Sequence, residues 1–336
     1  MADHGGLDRQ VAHLLAQAPG PHTRAAAAVA ERARQVLRPA GALARLDELA
    51  EWLAAWQGTE RPAVRRPAAL VFAADHGVAA SGVSAYPAEV TAAMVKALRE
   101  GVATACVLAR QVGATLEVVD VGVGVPTGDL TREPALDPAR FRACVQAGRD
   151  AVAALDADLL VLGEMGIGNT TAAAAVTAIL LGRSAEASTG RGTGVDDAGL
   201  ARKRAAVAAA RRRVGTAAPM EVLRQAGGAE LAALAGAALE ARLRRLPLVL
   251  DGFVVTAAMT PLELLRPGAL ANAVAGHRSA EPGHRALLER LGLRPLLELD
   301  LRLGEASGAL AAVPLLRLAA AAVTEVATFA DWGLQR

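Results

Sequence analysis

The chain has 336 residues, enough for one large domain or two unequal ones. Its 36 basic and 34 acidic residues leave a net charge of +2, which argues against a general nucleic-acid binder, since that needs a basic stripe. Hydrophobic residues make up 53% and aromatic residues only 2%, so a sizeable core must pack through aliphatic side chains.

The chain begins MADHGGLDRQ, without the basic-then-apolar pattern of a secretory signal, and a cytoplasmic location is expected. The first 60 residues read as helical, with Trp52 and Trp56 at i, i+4 spacing as a core pair. Four short apolar runs follow: Ala68 to Gly77, Ala114 to Gly124, Ala157 to Gly166 and Arg245 to Phe253. Each has the length and β-branched content of a buried strand, and Ala-rich helical segments flank them. That alternation predicts an α/β fold, a Rossmann-like parallel sheet covered by helices on both faces. Ligands of such sheets bind beyond the carboxyl ends of the strands. Asp75 and His76, Asp120, Glu164 and Asp251 stand there and are expected to converge on one crevice. Cys106 and Cys144 lie far apart and outside any C-x-x-C, so neither a disulfide framework nor a structural zinc is expected.

The third run leads into LLVLGEMGIGNTTAAAA, Leu159 to Ala175. The spacing of Gly163 and Gly168 fits a phosphate loop, but Asn169 and Thr170 stand where such a loop has Lys and Ser or Thr. Gly166 and Gly168 let backbone amides approach an anion, and Asn169 or Thr170 can cap the helix that begins there. Without the lysine, a single phosphate fits better than a triphosphate.

STGRGTGVDDAGLARKR, Ser188 to Arg204, is a second glycine-rich loop running into a helix. Its Thr193-Gly194 precedes Asp196-Asp197, the reverse of a metal–diphosphate loop. Lys203 on that helix is a candidate for the missing cation. Arg211, Arg212 and Arg213 read as a solvated helix face. GHRSAEPGH, Gly276 to His284, places Arg278 and Ser279 in a fixed turn suited to phosphate or carboxylate recognition. His277 and His284 flank a proline and do not make a helical metal pair. In LRLGEASGA, Leu301 to Ala309, Glu305 sits between glycines in apolar surroundings, where desolvation would raise its pKa and suit it to act as a base. From Pro282 the tail has helical periodicity. Arg317 and Glu325 break its apolar run short of the roughly 20 residues a membrane span needs. Helical segments at both ends suggest a smaller lobe built from the two termini.

DHGVAASGVSAYP, GEMGIGNTTAAAA, GRGTGVDDAGLARKR, DGF, GHRSAEPGH and LRLGE occur in the order and spacing of one family. From about Asp75 to the C-terminus the chain resembles the nicotinate-nucleotide–dimethylbenzimidazole phosphoribosyltransferases of cobalamin lower-ligand assembly. The resemblance implies a homodimer with a large α/β domain, residues 26–275, and a small helical domain from residues 1–25 plus 276–336. It implies transfer of 5-phosphoribosyl from nicotinate mononucleotide to 5,6-dimethylbenzimidazole, giving α-ribazole 5′-phosphate and nicotinate. Glu305 matches the family's base, and Glu164 matches a glutamate lining the same cleft. The implied substrate-binding residues are Asp75, His76, Ser84, Gly166, Gly168, Asn169, Thr170, Gly192, Thr193, Gly194, Lys203, Asp251, Arg278 and Ser279. No metal, cofactor, nucleic-acid partner or membrane is implied.

The reaction explains that set. Nicotinate departs from a cationic pyridinium nitrogen, so no acid and no metal are required to assist it. The attacking benzimidazole acquires an acidic N–H, which a carboxylate can remove. Two departures leave the acceptor open: Ala88 stands where the family commonly has Gln, and Gly101 to Cys106 reads GVATAC in place of GGAAIN. A purine or phenolic acceptor is one alternative, and a non-catalytic mononucleotide-binding regulator is another.

Overall fold

The computed structural model of the protein describes residues 6–335. Five parallel strands form one sheet in the order β2-β1-β3-β4-β5. They are β1 (Pro67–Ala74), β2 (Thr115–Gly122), β3 (Leu159–Met165), β4 (Leu248–Leu250) and β5 (Ala273–Ala275). The first four coincide with the predicted apolar runs. The fifth is no shorter than β4, but its Ala-Val-Ala does not stand out from the surrounding alanines as Leu-Val-Leu does. β2 lies on an edge and is only half-buried, unlike the continuous burial of its neighbour β1.

Side chains alternate across the sheet with period two. Leu70, Phe72, Leu160, Leu162, Leu248 and Leu250 face one core. That core is closed by α1 (Gly6–Gln17), α6 (Pro138–Ala153), α7 (Asn169–Leu180), α9 (Asp197–Val214), α10 (Pro219–Ala226), α11 (Ala229–Leu243) and α12 (Phe253–Leu265). Ala69, Val71, Leu159, Val161, Val249 and Val274 face the other. There the cover is α3 (Arg45–Gln57), α4 (Val90–Arg99), α5 (Thr104–Gln111) and α14 (Ser307–Thr324). Outside this layer α2 (Thr23–Gln35) packs on α3 and α14. The short α8 (Ala185–Ser188) and α13 (Pro282–Leu291) border the carboxyl end of the sheet.

Trp56 is buried, as the helical spacing predicts, and carries the Arg242 guanidinium over its ring. Arg213 departs from the expected solvated face: its guanidinium turns inward to the Leu130 carbonyl and Gln225, while Arg211 and Arg212 stay exposed. By composition α14 is apolar enough over 18 residues to resemble a membrane span, but 56% of it is buried within the protein, where it covers the sheet.

The start of α14 is clamped onto the sheet. A side chain at Gly163 on β3 would place its first carbon 2.2 Å from the Ala306 amide nitrogen, so only glycine lets the chain come this close. Gly308 is likewise covered by the His277 ring. The N-cap residue, Ala306, offers no side-chain cap; the buried Asp251 at the end of β4 supplies one, accepting from the Ala309 amide at 2.9 Å.

Candidate active site

A crevice of about 90 Å³ opens beyond the carboxyl ends of β3, β4 and β5, where the parallel topology predicts a ligand site. Five lining segments come from the sequence blocks quoted above. Glu164 stands near the end of β3 and Gly166, Asn169 and Thr170 follow it, while Gly192 and Thr193 belong to the loop before α9. Gly252 and Phe253 follow β4, while His277, Ser279 and Glu281 follow β5. Arg302, Leu303 and Gly304 close the side next to α14. A larger hollow of about 340 Å³ lies at the opposite end of the strands, away from all of these residues.

Gly168, with φ of 98°, is the N-cap of α7, so neither Asn169 nor Thr170 caps that helix. Both side chains make other bonds. Asn169 Nδ2 donates to Glu164 Oε2, and Thr170 Oγ1 accepts from Lys203 Nζ at 2.6 Å. Three amides expected to be free for an anion are already bonded. Ile167 N donates to Thr91 Oγ1, Asn169 N to the Gly166 carbonyl and Thr171 N to the Gly168 carbonyl. Positive charge therefore comes from side chains: Lys203, which α9 delivers to this loop behind Thr170, and Arg302, which lines the crevice. Lys203 is 2% exposed, and its burial lowers its pKa while the neighbouring Glu281 opposes that shift. Glu281 Oε1 accepts from the Gly192 amide at 2.8 Å, so one buried carboxylate ties the glycine-rich loop to the β5–α13 turn.

The acidic side of the crevice is crowded. Burial, then the charges of Asp251 and Glu230, push Glu164 up to about 8, and the hydrogen bond from Asn169 only partly offsets this. Glu164 is therefore mostly protonated at neutral pH. Glu305 is joined to it through the backbone: the Glu305 amide donates to the Glu164 carbonyl at 3.1 Å. Glu305 and Ala306 both have left-handed backbone, φ 59° and 69°, a strained conformation for residues other than glycine. The Glu305 carboxyl turns away from the crevice lining toward the amide of Ala105 at the start of α5. Burial raises its pKa, and the Ala105 hydrogen bond opposes the rise.

Ser279 lines the crevice on a fixed support. Its amide donates to His284 Nδ1 at 3.0 Å, which requires the Nε2–H tautomer, and Nε2 lies 3.0 Å from Thr256 Oγ1. Burial and the charges of His277 and Arg278 depress His284 to about 3, so it stays neutral. Asp251 sits 3.5 Å from His277 Nε2.

The other residues singled out from the sequence lie elsewhere, and the strand-end acids do not all meet. Asp75 Oδ2 accepts from the Gly124 amide, and Asp120 accepts from the amides of Gly122 and Val123, so both organise the loop after β2. His76 is buried behind the Gly166–Gly168 turn, with Nε2 at 2.6 Å from Glu230. Ser84 accepts from the Tyr86 amide in an exposed loop. Arg278 pairs with Glu298 at 2.7 Å and faces a separate hollow. Gly194 stands beside Arg302 at the rim. Glu281 and Arg302 join the lining without having been singled out by residue type, as does His277, considered above only as a metal ligand. Each lies inside or beside a quoted block, and burial, which marks Glu281, cannot be read from residue type. Among the described residues no group of three or more His, Cys, Asp or Glu side chains is placed to hold a metal ion.

A family model described as phosphoribosyltransferase matches residues 18–334. The nicotinate-nucleotide–dimethylbenzimidazole phosphoribosyltransferase of Mesorhizobium japonicum is 51% identical over 318 residues, 94% of each chain. Its counterpart in Cereibacter sphaeroides is 49% identical over the same coverage. The crystal structure of CobT from Thermus thermophilus superposes with a TM-score of 0.89 at 47% identity, covering 93% of this chain and 99% of that one.

Proposed function

The chain belongs to the nicotinate-nucleotide–dimethylbenzimidazole phosphoribosyltransferase family, and from that premise we propose how its crevice moves 5-phosphoribosyl from nicotinate mononucleotide to 5,6-dimethylbenzimidazole. The donor's phosphate lies against Thr170, Lys203 and the Gly192–Thr193 loop, where a buried ammonium replaces the lysine that the β3–α7 loop lacks. Ser279, held by neutral His284, forms the facing wall. In this reading residues 26–275 hold most of the donor contacts, and the C-terminal segment 276–336 brings Ser279 and the base Glu305.

The acceptor's ring nitrogen attacks C1′ of the ribose. The bond from C1′ to the pyridinium nitrogen breaks, its electron pair neutralises that nitrogen, and nicotinate departs. Attack opposite the leaving group inverts the anomeric carbon and gives the α-linkage. Glu305 takes the proton from the acceptor's second nitrogen, a role worth about 10²–10⁴-fold in rate. Glu164 enters mostly protonated. The donor's cationic ring favours its ionised form, so donor binding draws off the proton and sets a carboxylate beside the ribose as positive charge develops there.

The observation that carries this reading is the backbone link between Glu164 and Glu305, which puts one carboxyl on the crevice and the other just behind it. The Ala105 amide that Glu305 accepts belongs to the divergent stretch Gly101 to Cys106, so the acceptor enters between α5 and Glu305 and takes over that bond. Nicotinate release across benzimidazole, purine and phenolic acceptors tests it. Release that is fastest with 5,6-dimethylbenzimidazole supports the assignment, and a faster purine or phenol replaces the acceptor. Absence of release with every base would leave only a binding protein.

A homodimer in the cytoplasm completes the proposal. β2 presents an unpaired edge, and Tyr86, Val102, Val107 and Val125 expose apolar surface in the same part of the chain. Light scattering on the purified chain reads the state directly, and a monomer at assay concentration would refute it.

A further inference from the structure

The 340 Å³ hollow lies at the amino-terminal ends of β1, β3 and β4, a strand length of about 25 Å from the crevice. Arg61, Arg65, Arg66, Arg244 and Arg245 line it, against the single acid Asp158. Asp158 offsets one of these charges, and its carboxylate accepts the backbone amides of Arg65 and Arg66 at 2.8–3.0 Å, not their guanidiniums. The Arg61 and Arg65 guanidiniums have no hydrogen-bond or ion-pair partner among the described residues. Arg66 reaches only the exposed Asp156, at 3.4 Å.

The walls are fixed rather than loose. The Gln57 side chain bonds the amide and carbonyl of Ala63 and the carbonyl of Asp158, pinning the arginine segment to the foot of β3. Arg244 is anchored on the Val152 and Leu155 carbonyls, and Arg245 on the Gly20 carbonyl. Arg245 adopts left-handed backbone, φ 54°, strain of the kind that collects at ligand sites. Buried Trp56 forms part of the lining, with the Arg242 charge over its ring.

We propose that this hollow is a second anion site, built for a compact molecule carrying two or more phosphate charges. Five arginines line one concave volume, and the exposed Arg61, Arg65 and Arg66 keep guanidiniums unanchored to backbone, an arrangement that favours multidentate phosphate binding; 340 Å³ falls within the range of small-molecule pockets. The near-neutral total charge of +2 disfavours an extended polyanion, which would need the basic surface to continue beyond the hollow.

Calorimetric titration of the full chain with inorganic pyrophosphate at physiological salt tests the proposal, run alone and with saturating nicotinate mononucleotide. One pyrophosphate should bind per chain, and the donor should not compete. The double variant Arg61→Ser/Arg65→Ser should weaken pyrophosphate binding more than about tenfold. Its unliganded melting temperature and phosphoribosyl-transfer rate should match the parent. Binding that the donor abolishes, binding that the double variant retains, or no binding at millimolar pyrophosphate would each overturn it.

Discussion

The amide of Glu305 donates to the carbonyl of Glu164 at 3.1 Å, yet the two carboxyls serve different spaces. Glu164 faces the crevice and Asn169, while Glu305 faces the start of α5 at Ala105. One peptide contact thus fixes the spacing of two buried acids that the reaction uses ionised, and Glu164, held near 8, reaches that form at pH 7 only once the donor's positive charge is beside it.

Glu305→Gln should lower turnover by about 10²–10⁴-fold while leaving donor binding intact. Because burial raises the Glu305 pKa, kcat in the parent should begin to fall with decreasing pH earlier than an ordinary glutamate would allow. Near-parental turnover in the variant would remove Glu305 from the chemistry.

Glu164 binds its proton more tightly in the folded chain than in the unfolded one. Its contribution to stability is complete below about pH 4.5 and is lost as pH rises toward its folded value of about 8. Glu164→Gln removes that loss. Melting curves from pH 5 to 8.5 should show the variant gaining on the parent as pH rises, by roughly 2–4 kcal/mol at the upper end. A constant difference across the range would mean Glu164 does not titrate there.

Gly163→Ala puts a methyl against the Ala306 amide. The turn carrying Glu305 must shift or the strand must bend, at a cost of about 1–3 kcal/mol. Denaturant unfolding should show the lost stability, and the activity remaining in the folded fraction should be reduced as well, since the base moves with the turn.

Lys203→Met keeps the buried stem and removes the ammonium. The donor's KM should rise by at least about tenfold, with a smaller change in kcat, because the lost contact is made to the phosphate in ground and transition states alike. Thr170→Val, which leaves the lysine charged, should show a milder effect of the same kind.

Much of this architecture is legible in the sequence because parallel sheets are written as continuous apolar runs. The carboxyl ends of β1 to β4 carry Asp75, Gly122, Glu164 and Asp251 at or next to their last residues, and two of those ends mark the crevice, at Glu164 and at Gly252 beside Asp251. β5 escapes because its two alanines merge with the alanine-rich sequence around it, whereas the equally short β4 is marked by leucines. Lys203 is readable as a spare cation, but its route to Thr170 depends on how α9 packs on α7. Glu281 is invisible as a site residue for the converse reason: a glutamate before a proline reads as an exposed helix start, and only the packing shows it buried on Gly192.

The clamp between Gly163 and Ala306 also sets an order of events during synthesis. All five strands are made before α14, which follows them in chain order. Until α14 has emerged, Val71, Val161 and Val249 are covered only by the earlier helices α3, α4 and α5, and part of their apolar face stays open. The nascent chain therefore depends on transient shielding of that face, and loss of the segment from Gly304 onward yields a product that lacks its base and also exposes a surface prone to self-association.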